Sequence, residues 1–104
     1  MYCTIMYMTP AGFDWDEGNR KKNWVKHLVS IEECEQIFVN RPLLIIDNPG
    51  HSTTEIRYAA FGKTDAGRLL FIVFTWREEM IRVISARDQD KHERRQYENA
   101  NEET

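Results

Sequence analysis

A chain of 104 residues suits one domain and is too short for two independent cores. Hydrophobic residues make up 41% and charged residues 30%, a globular rather than disordered balance, and the longest apolar run, Leu69 to Phe74, is far too short to cross a bilayer. A net charge of −3 argues against a protein that coats nucleic acid non-specifically.

The opening segment, Tyr2 to Met8, alternates apolar residues with Thr and reads as an edge strand or a leader. Met1 is followed by no cationic stretch leading into a long apolar one, so no signal peptide is expected. Phe13 and Trp15 precede a polar stretch without breakers, Asp16 to His27, which predicts a helix capped by Asp14 or Asp16. Lys26 and His27 suit its C-terminal dipole. Its apolar positions are few (Trp24, Val25 and Leu28), so most of it must face water or a ligand. Ser30 and Glu33 form the capping box of a second helix. Ile31, Cys34, Ile37 and Phe38 fall at the spacing of its one buried face, and Asn40, Arg41 and Pro42 end it.

Strands follow. Leu43 to Asp47 is short and apolar, and Asn48, Pro49 and Gly50 supply a turn. Glu55 to Gly62 comes next, and Thr64 to Gly67 turns the chain into Leu69 to Thr75. That run is apolar on both faces and is expected at the centre of the sheet. Arg77 to Glu79 makes a tight turn into Met80 to Ala86. Asp88 or Asp90 then caps a closing helix to about Ala100, its polarity predicting an exposed face. The fold class is α+β: two N-terminal helices, an antiparallel sheet of about four strands and a C-terminal helix. Residues 1–12 are a leader or edge strand, 13–100 a single domain and 101–104 an acidic tail.

Regular hairpins would put Arg57 opposite Phe74 and Phe74 opposite Arg82, so both arginines flank Phe74 on one face, ~10 Å apart in backbone and within reach of one phosphodiester. Each arginine near a strand end can equally pair with surface acids such as Glu55 or Glu79, and spacing alone leaves the two readings even. From Gly18 to Ile31 there is no acid, while Arg20, Lys21, Lys22 and Lys26 are basic. Arg77, Arg82, Arg87, Lys91, Arg94 and Arg95 follow later, interleaved with acids. Local cationic sites on a weakly acidic protein fit focused contact with a few phosphates.

His27 is the histidine within a basic cluster, and an imidazole can exchange a proton at physiological pH. A helix C-terminal histidine that satisfies carbonyls is the plainer reading. His51 reads as loop and His92 as solvated. Cys3 and Cys34 have neither metal-ligand nor disulfide-framework spacing and read as reduced thiols, with Cys34 buried in a helix. No His or Cys pair has ligand spacing, and no Gly-rich phosphate loop is present, so no cofactor is expected. Cationic side chains, one imidazole and Tyr97 suit metal-free phosphodiester cleavage by the RNA's own 2′-hydroxyl. Of the tryptophans, Trp15 reads as a core anchor, packing is favoured for Trp24, and Trp76 is left open between exposure and packing.

Trp15, Asp16, Asn23, Lys26, His27, Val29 and the Ser30–Glu33 box resemble the opening signature of BrnT toxins. Glu55 and Arg57 match that family's middle strand, and Gly62, Gly67 and Arg68 its hairpin. Phe74, Thr75, Arg77, then Arg82 to Arg87, Glu93, Arg94 and Tyr97 match the rest, from about Phe13 to Tyr97 in order and spacing. The resemblance implies a RelE-like fold and a cytoplasmic endoribonuclease that arrests translation. It also implies a co-encoded BrnA-like antitoxin with a ribbon-helix-helix DNA-binding region, operator DNA being reached only through that antitoxin, and no membrane partner. By position, Lys26, His27, Arg57 and Arg82 are the catalytic candidates, and Lys22, Arg77, Arg87 and Tyr97 the RNA-binding ones. The chain departs from the family at Asn19, where a lysine is usual, and at Leu28, where a glycine is usual; Leu28 sends the turn between helices through a residue that dislikes positive φ. A second reading is a binding module with weak or no turnover, acting as an antitoxin-bound co-repressor.

Overall fold

The computed structural model describes residues 11–48 and 55–102. Its elements run β1 (Gly12–Phe13), α1 (Glu17–His27), α2 (Ile31–Val39), β2 (Leu44–Asp47), β3 (Tyr58–Lys63), β4 (Leu69–Arg77), β5 (Met80–Asp88) and α3 (Lys91–Glu102). The Tyr2–Met8 segment, the Asn48–Gly50 turn beyond Asn48, Cys3 and His51 lie outside the described residues.

Every helix starts on a reciprocal cap, which satisfies backbone donors that the helix itself leaves orphaned. At α1 the Asn19 N–H donates to Asp16 Oδ1 at 2.9 Å, and the Asp16 N–H donates to Asn19 Oδ1 at 2.8 Å. Ser30 and Glu33 do the same at α2. At α3 the pair is Asp90 and Glu93. The candidate caps are thereby resolved: Asp16 and Asp90 serve, while Asp14 and Asp88 are used elsewhere.

The sheet has five strands in the order β1-β5-β4-β3-β2. The β2–β3, β3–β4 and β4–β5 pairs are antiparallel, as hairpin connections require, and β4 is central. The expected count of four is corrected by β1, which pairs in parallel with β5 through Gly12 and Phe13. Two residues carry no periodicity, so nothing in the sequence marks this strand.

One core lies beneath α2 and holds Val29, Ile37, Ile72, Phe74, Ile81 and Val83. Cys34, Ile37 and Phe38 supply its helical side. Close approach of α2 needs Gly62 in β3, because a Cβ there would stand 2.9 Å from Ile37 Cβ and 3.1 Å from Ile37 O. The second core packs Tyr97 of α3 against Leu44, Ala59 and Phe61 on the other face. Trp15 is half-buried against the first core, its Nε1 donating to Glu35 Oε2 at 2.9 Å. Trp76 also packs there, edge-on to Phe74. Trp24 corrects the expectation of packing: it is 53% exposed.

Leu28 has φ +54° while its N–H still donates to Trp24 O, and its side chain is 61% exposed. A left-handed conformation costs an L-residue about 1–2 kcal/mol, partly offset in glycine by a larger unfolded-state entropy. Leu28→Gly should therefore raise stability by about 1 kcal/mol, read as an upward shift of the urea midpoint with unchanged slope. An unchanged or lower midpoint would show that the Leu28 side chain supports the fold.

Candidate functional site

The pairing of β4 with β5 decides which side chains share a face. The hairpin closes on Arg77 and Met80, leaving Glu78 and Glu79 as a two-residue loop, with Glu78 at φ +59°. Both hairpins are one residue out from the expected register: Tyr58 and Val83, not Arg57 and Arg82, stand opposite Phe74. Phe74 therefore faces the core beneath α2, and Thr75 is the partner of Arg82. Arg57 sits one residue ahead of β3, its carbonyl accepting from Asn48 N–H at 2.9 Å, where the β3–β4 register carries on to Thr75. The two slips cancel, so the arginines still share a row, around Thr75 instead of Phe74.

A bulge adds a third arginine. Phe74 pairs with Val83 and Val73 with Ser85, so Ile84 is the extra residue. Arg82 and Arg87 are five apart and would point to opposite faces of a regular strand. The bulge returns Arg87 to the face of Arg82, opposite Phe71, whose ring its guanidinium covers at 4.5 Å.

Carboxylates hold most of these charges. Arg82 Nη2 donates to Asp16 Oδ2 at 2.7 Å, and Asp14 stands 3.5 Å away. Donation to the Asp16 carboxylate raises the Arg82 pKa above its usual range, and Asp16 is held low by the Asn19 N–H and then by Arg82. Arg87 grips Glu93 through two bonds of 2.8 Å, which raise its pKa, while Glu93 also caps α3. Arg77 pairs with Glu55 at 3.3 Å. Arg57 differs: it is half-buried, and its Nε is buried with no hydrogen-bond partner.

Helix α1 runs along the open edge of β5. Asn19 Nδ2 donates to Asp14 O and Val83 O, both at 3.1 Å, and Lys22 Nζ approaches Ile84 O at 3.5 Å. Asn19 is thus a buried clip between cap and strand, and a groove lined by Asp16, Glu17, Lys22, Arg82 and Ile84 opens beside it. Lys26 and His27 are exposed at the other end of α1, ~15–17 Å from Asp16 by the helical rise. The structure brings Lys22 close to Arg82, while at the other end of α1 the His27 carbonyl accepts from Arg68 Nη2 at 3.1 Å. Tyr97 is buried, its hydroxyl donating to Pro42 O at 2.6 Å, and burial raises its pKa. Cys34 is buried too, its thiol pushed up to about 12 by burial and by Glu33, which makes it unreactive. His92 is exposed on α3. Among the described residues no group of three or more His, Cys, Asp or Glu could hold a metal ion.

Arg68 was not singled out by the chemistry of the sequence. Its Nη1 donates to Leu28 O at 2.9 Å and to Glu33 at 3.1 and 3.2 Å, its Nη2 to His27 O at 3.1 Å and Asp88 Oδ2 at 3.2 Å, and its Nε to Asp88 Oδ1 at 2.7 Å. It closes the end of α1, the cap of α2 and the end of β5 together. Hydrogen bonding to Asp88, then to Glu33, raises its pKa against the opposing effect of burial, and Asp88 is lowered chiefly by Arg68 in return. For Glu33, burial acts upward but is outweighed by the Ser30 N–H and Arg68, which hold it low.

A family model described as the ribonuclease toxin BrnT of type II toxin–antitoxin systems matches residues 15–93. No curated protein matches the chain.

Arg68→Met strands two helix-end carbonyls and two carboxylates, and should cost about 2–3 kcal/mol near neutral pH. Glu33 and Asp88 have folded-state pKa values below their ordinary 4.5 and 3.8. The stability they contribute is full above those ordinary values and is lost as pH falls through the lowered ones. The gap between wild type and variant should accordingly shrink in acid; denaturation curves at pH 7 and pH 3 with an equal gap would remove Arg68 from this role.

Proposed function

The chain belongs to the BrnT family of ribonuclease toxins of type II toxin–antitoxin systems, and from that premise we propose that it is an endoribonuclease that cuts RNA without a metal ion and so arrests translation. The observation that carries this reading is the arginine face: Arg57, Arg82 and Arg87 share one side of the sheet, and the Arg57 Nε is buried without a partner. A buried guanidinium N–H left unpaired is costly unless an acceptor arrives, and a phosphate oxygen is such an acceptor.

In this reading RNA lies along β5 on that face. Arg57 and Arg82 hold one phosphate and stabilise the charge that develops on its oxygens. Arg82 exchanges the Asp16 carboxylate for the phosphate as RNA binds. Lys22, Arg77 and Arg87 hold neighbouring phosphates, and Tyr97 acts from behind by fixing α3 against the sheet. Attack of the 2′-hydroxyl on the adjacent phosphorus releases the hydroxyl proton to water, forms a 2′,3′-cyclic phosphate and expels the 5′-oxygen, which takes up a proton. Lys26 or His27, at the far end of α1 from Arg82, supplies that proton by relay through water along the RNA. The protein acts in the cytoplasm, held by a BrnA-like antitoxin whose ribbon-helix-helix region alone touches operator DNA.

Cleavage of RNA should persist in excess chelator and leave 2′,3′-cyclic ends; activity lost to chelation and restored by Mg²⁺ would overturn the mechanism. Arg57→Met removes that unpaired donor, so it should fold with an equal or higher thermal midpoint and cut on the order of 10²-fold more slowly. Arg82→Lys keeps a charge for Asp16 but loses the planar fork, and a similar loss is expected. Near-wild-type cleavage by both variants would take the phosphate site away from this face.

A further inference from the structure

Two of the four exposed large hydrophobic side chains among the described residues are Trp24, in the last turn of α1, and Leu28, the residue that follows the helix and whose N–H donates to Trp24 O. Asn19 and Lys22 turn one side of that helix toward β5. Arg20, Lys21 and Trp24 are related by steps of three and four residues and lie on the side away from the strand. The outer stripe is thus basic in its first half and apolar in its second, and all of its members are exposed.

Leu28 carries two costs at once. Its backbone is left-handed, where glycine would sit without strain, and its side chain stands in water. Leu28 belongs to neither hydrophobic core. A tryptophan beside a leucine, rimmed by cations, has the composition of a protein-binding anchor, in which aromatic side chains fill a partner's pocket and charges outside it steer the approach.

We propose that this outer stripe of α1 is the docking surface for the antitoxin, and that it takes an amphipathic acidic segment whose apolar side chains cover Trp24 and Leu28 and whose carboxylates meet Arg20 and Lys21. Charge complementarity selects this occupant: the helix has no acid after Glu17, and the stripe faces away from the groove that holds Lys22 and Arg82. The inference rests on the antitoxin partnership in the reading above, but not on its cleavage chemistry, since Trp24 and Leu28 lie outside the arginine face. Antitoxin binding and RNA access are thereby separable on this helix.

The experiment compares wild type, Trp24→Ala, Leu28→Gly and the double variant for affinity to the antitoxin encoded beside the toxin, for RNA cleavage, and for mass in solution. The double variant should bind the antitoxin at least 50-fold more weakly while cutting RNA within about twofold of wild type. Leu28→Gly should be more stable than wild type and yet bind less well, an opposition that a purely structural role does not produce. Undiminished antitoxin affinity in the double variant overturns the proposal. Unchanged affinity with lost cleavage would assign the stripe to RNA, and unchanged affinity with loss of a wild-type dimer would assign it to a second copy of the chain. Wild-type protein that binds no antitoxin at all would remove the partnership, and this proposal with it.

Discussion

One guanidinium holds three elements in place. Arg68 leaves the turn after Gly67 and reaches the last carbonyls of α1, the capping glutamate of α2 and the aspartate that ends β5. Each of those groups is a negative or partly negative end that would otherwise be only partly satisfied, and a planar donor fork can meet several at once. The left-handed turn at Leu28 lies directly under this contact, so α1 can reverse into α2 without a glycine. The direction of α1 along β5, and with it the position of Lys22, Lys26 and His27, follows from where Arg68 pins its end.

The other end of α1 is pinned by a different device. β1 covers only the first residues of the outer edge of β5, which leaves carbonyls further along without a strand partner. Asn19 and Lys22 meet two of them from α1, so the helix acts as a polar cover for an edge that would otherwise invite pairing with another chain. The same cap places Asp16 against Arg82. Edge protection, helix capping and the disposition of the arginine face are therefore one construction rather than three.

That face is largely neutralised from within. Arg82 and Arg87 are each held by carboxylates that also cap a helix, while Arg57 is not held in this way. A weakly acidic protein that presents few uncompensated cations binds RNA through a limited number of phosphates rather than along a continuous basic track. In the proposed function, exchange of an internal carboxylate for a phosphate would tie RNA binding to the ends of α1 and α3.

What could be read from the residues alone was everything local. The capping box at Ser30, the buried spacing of Cys34, Ile37 and Phe38, the central place of the run from Leu69 and the turn at Gly67 all depend on neighbours a few positions away. The positive φ at Leu28 is different: only the resemblance, which implies a glycine there, points to it. The arginine row was legible only in outline. The residue types mark its members, but the register that joins them hangs on loop lengths, and each hairpin shifts it by one residue, so that the row centres on Thr75. The bulge at Ile84 and the pairing of Gly12 with Met80 carry no periodic signal, because each is a single departure decided by packing across strands. The exposure of Trp24 is hidden for the same reason: helical spacing gives a direction relative to other side chains, not to the sheet. Only the fold decided that α1 turns Asn19 inward and Trp24 out, since that choice belongs to β5 and Arg68, which lie 40 residues or more further along the chain.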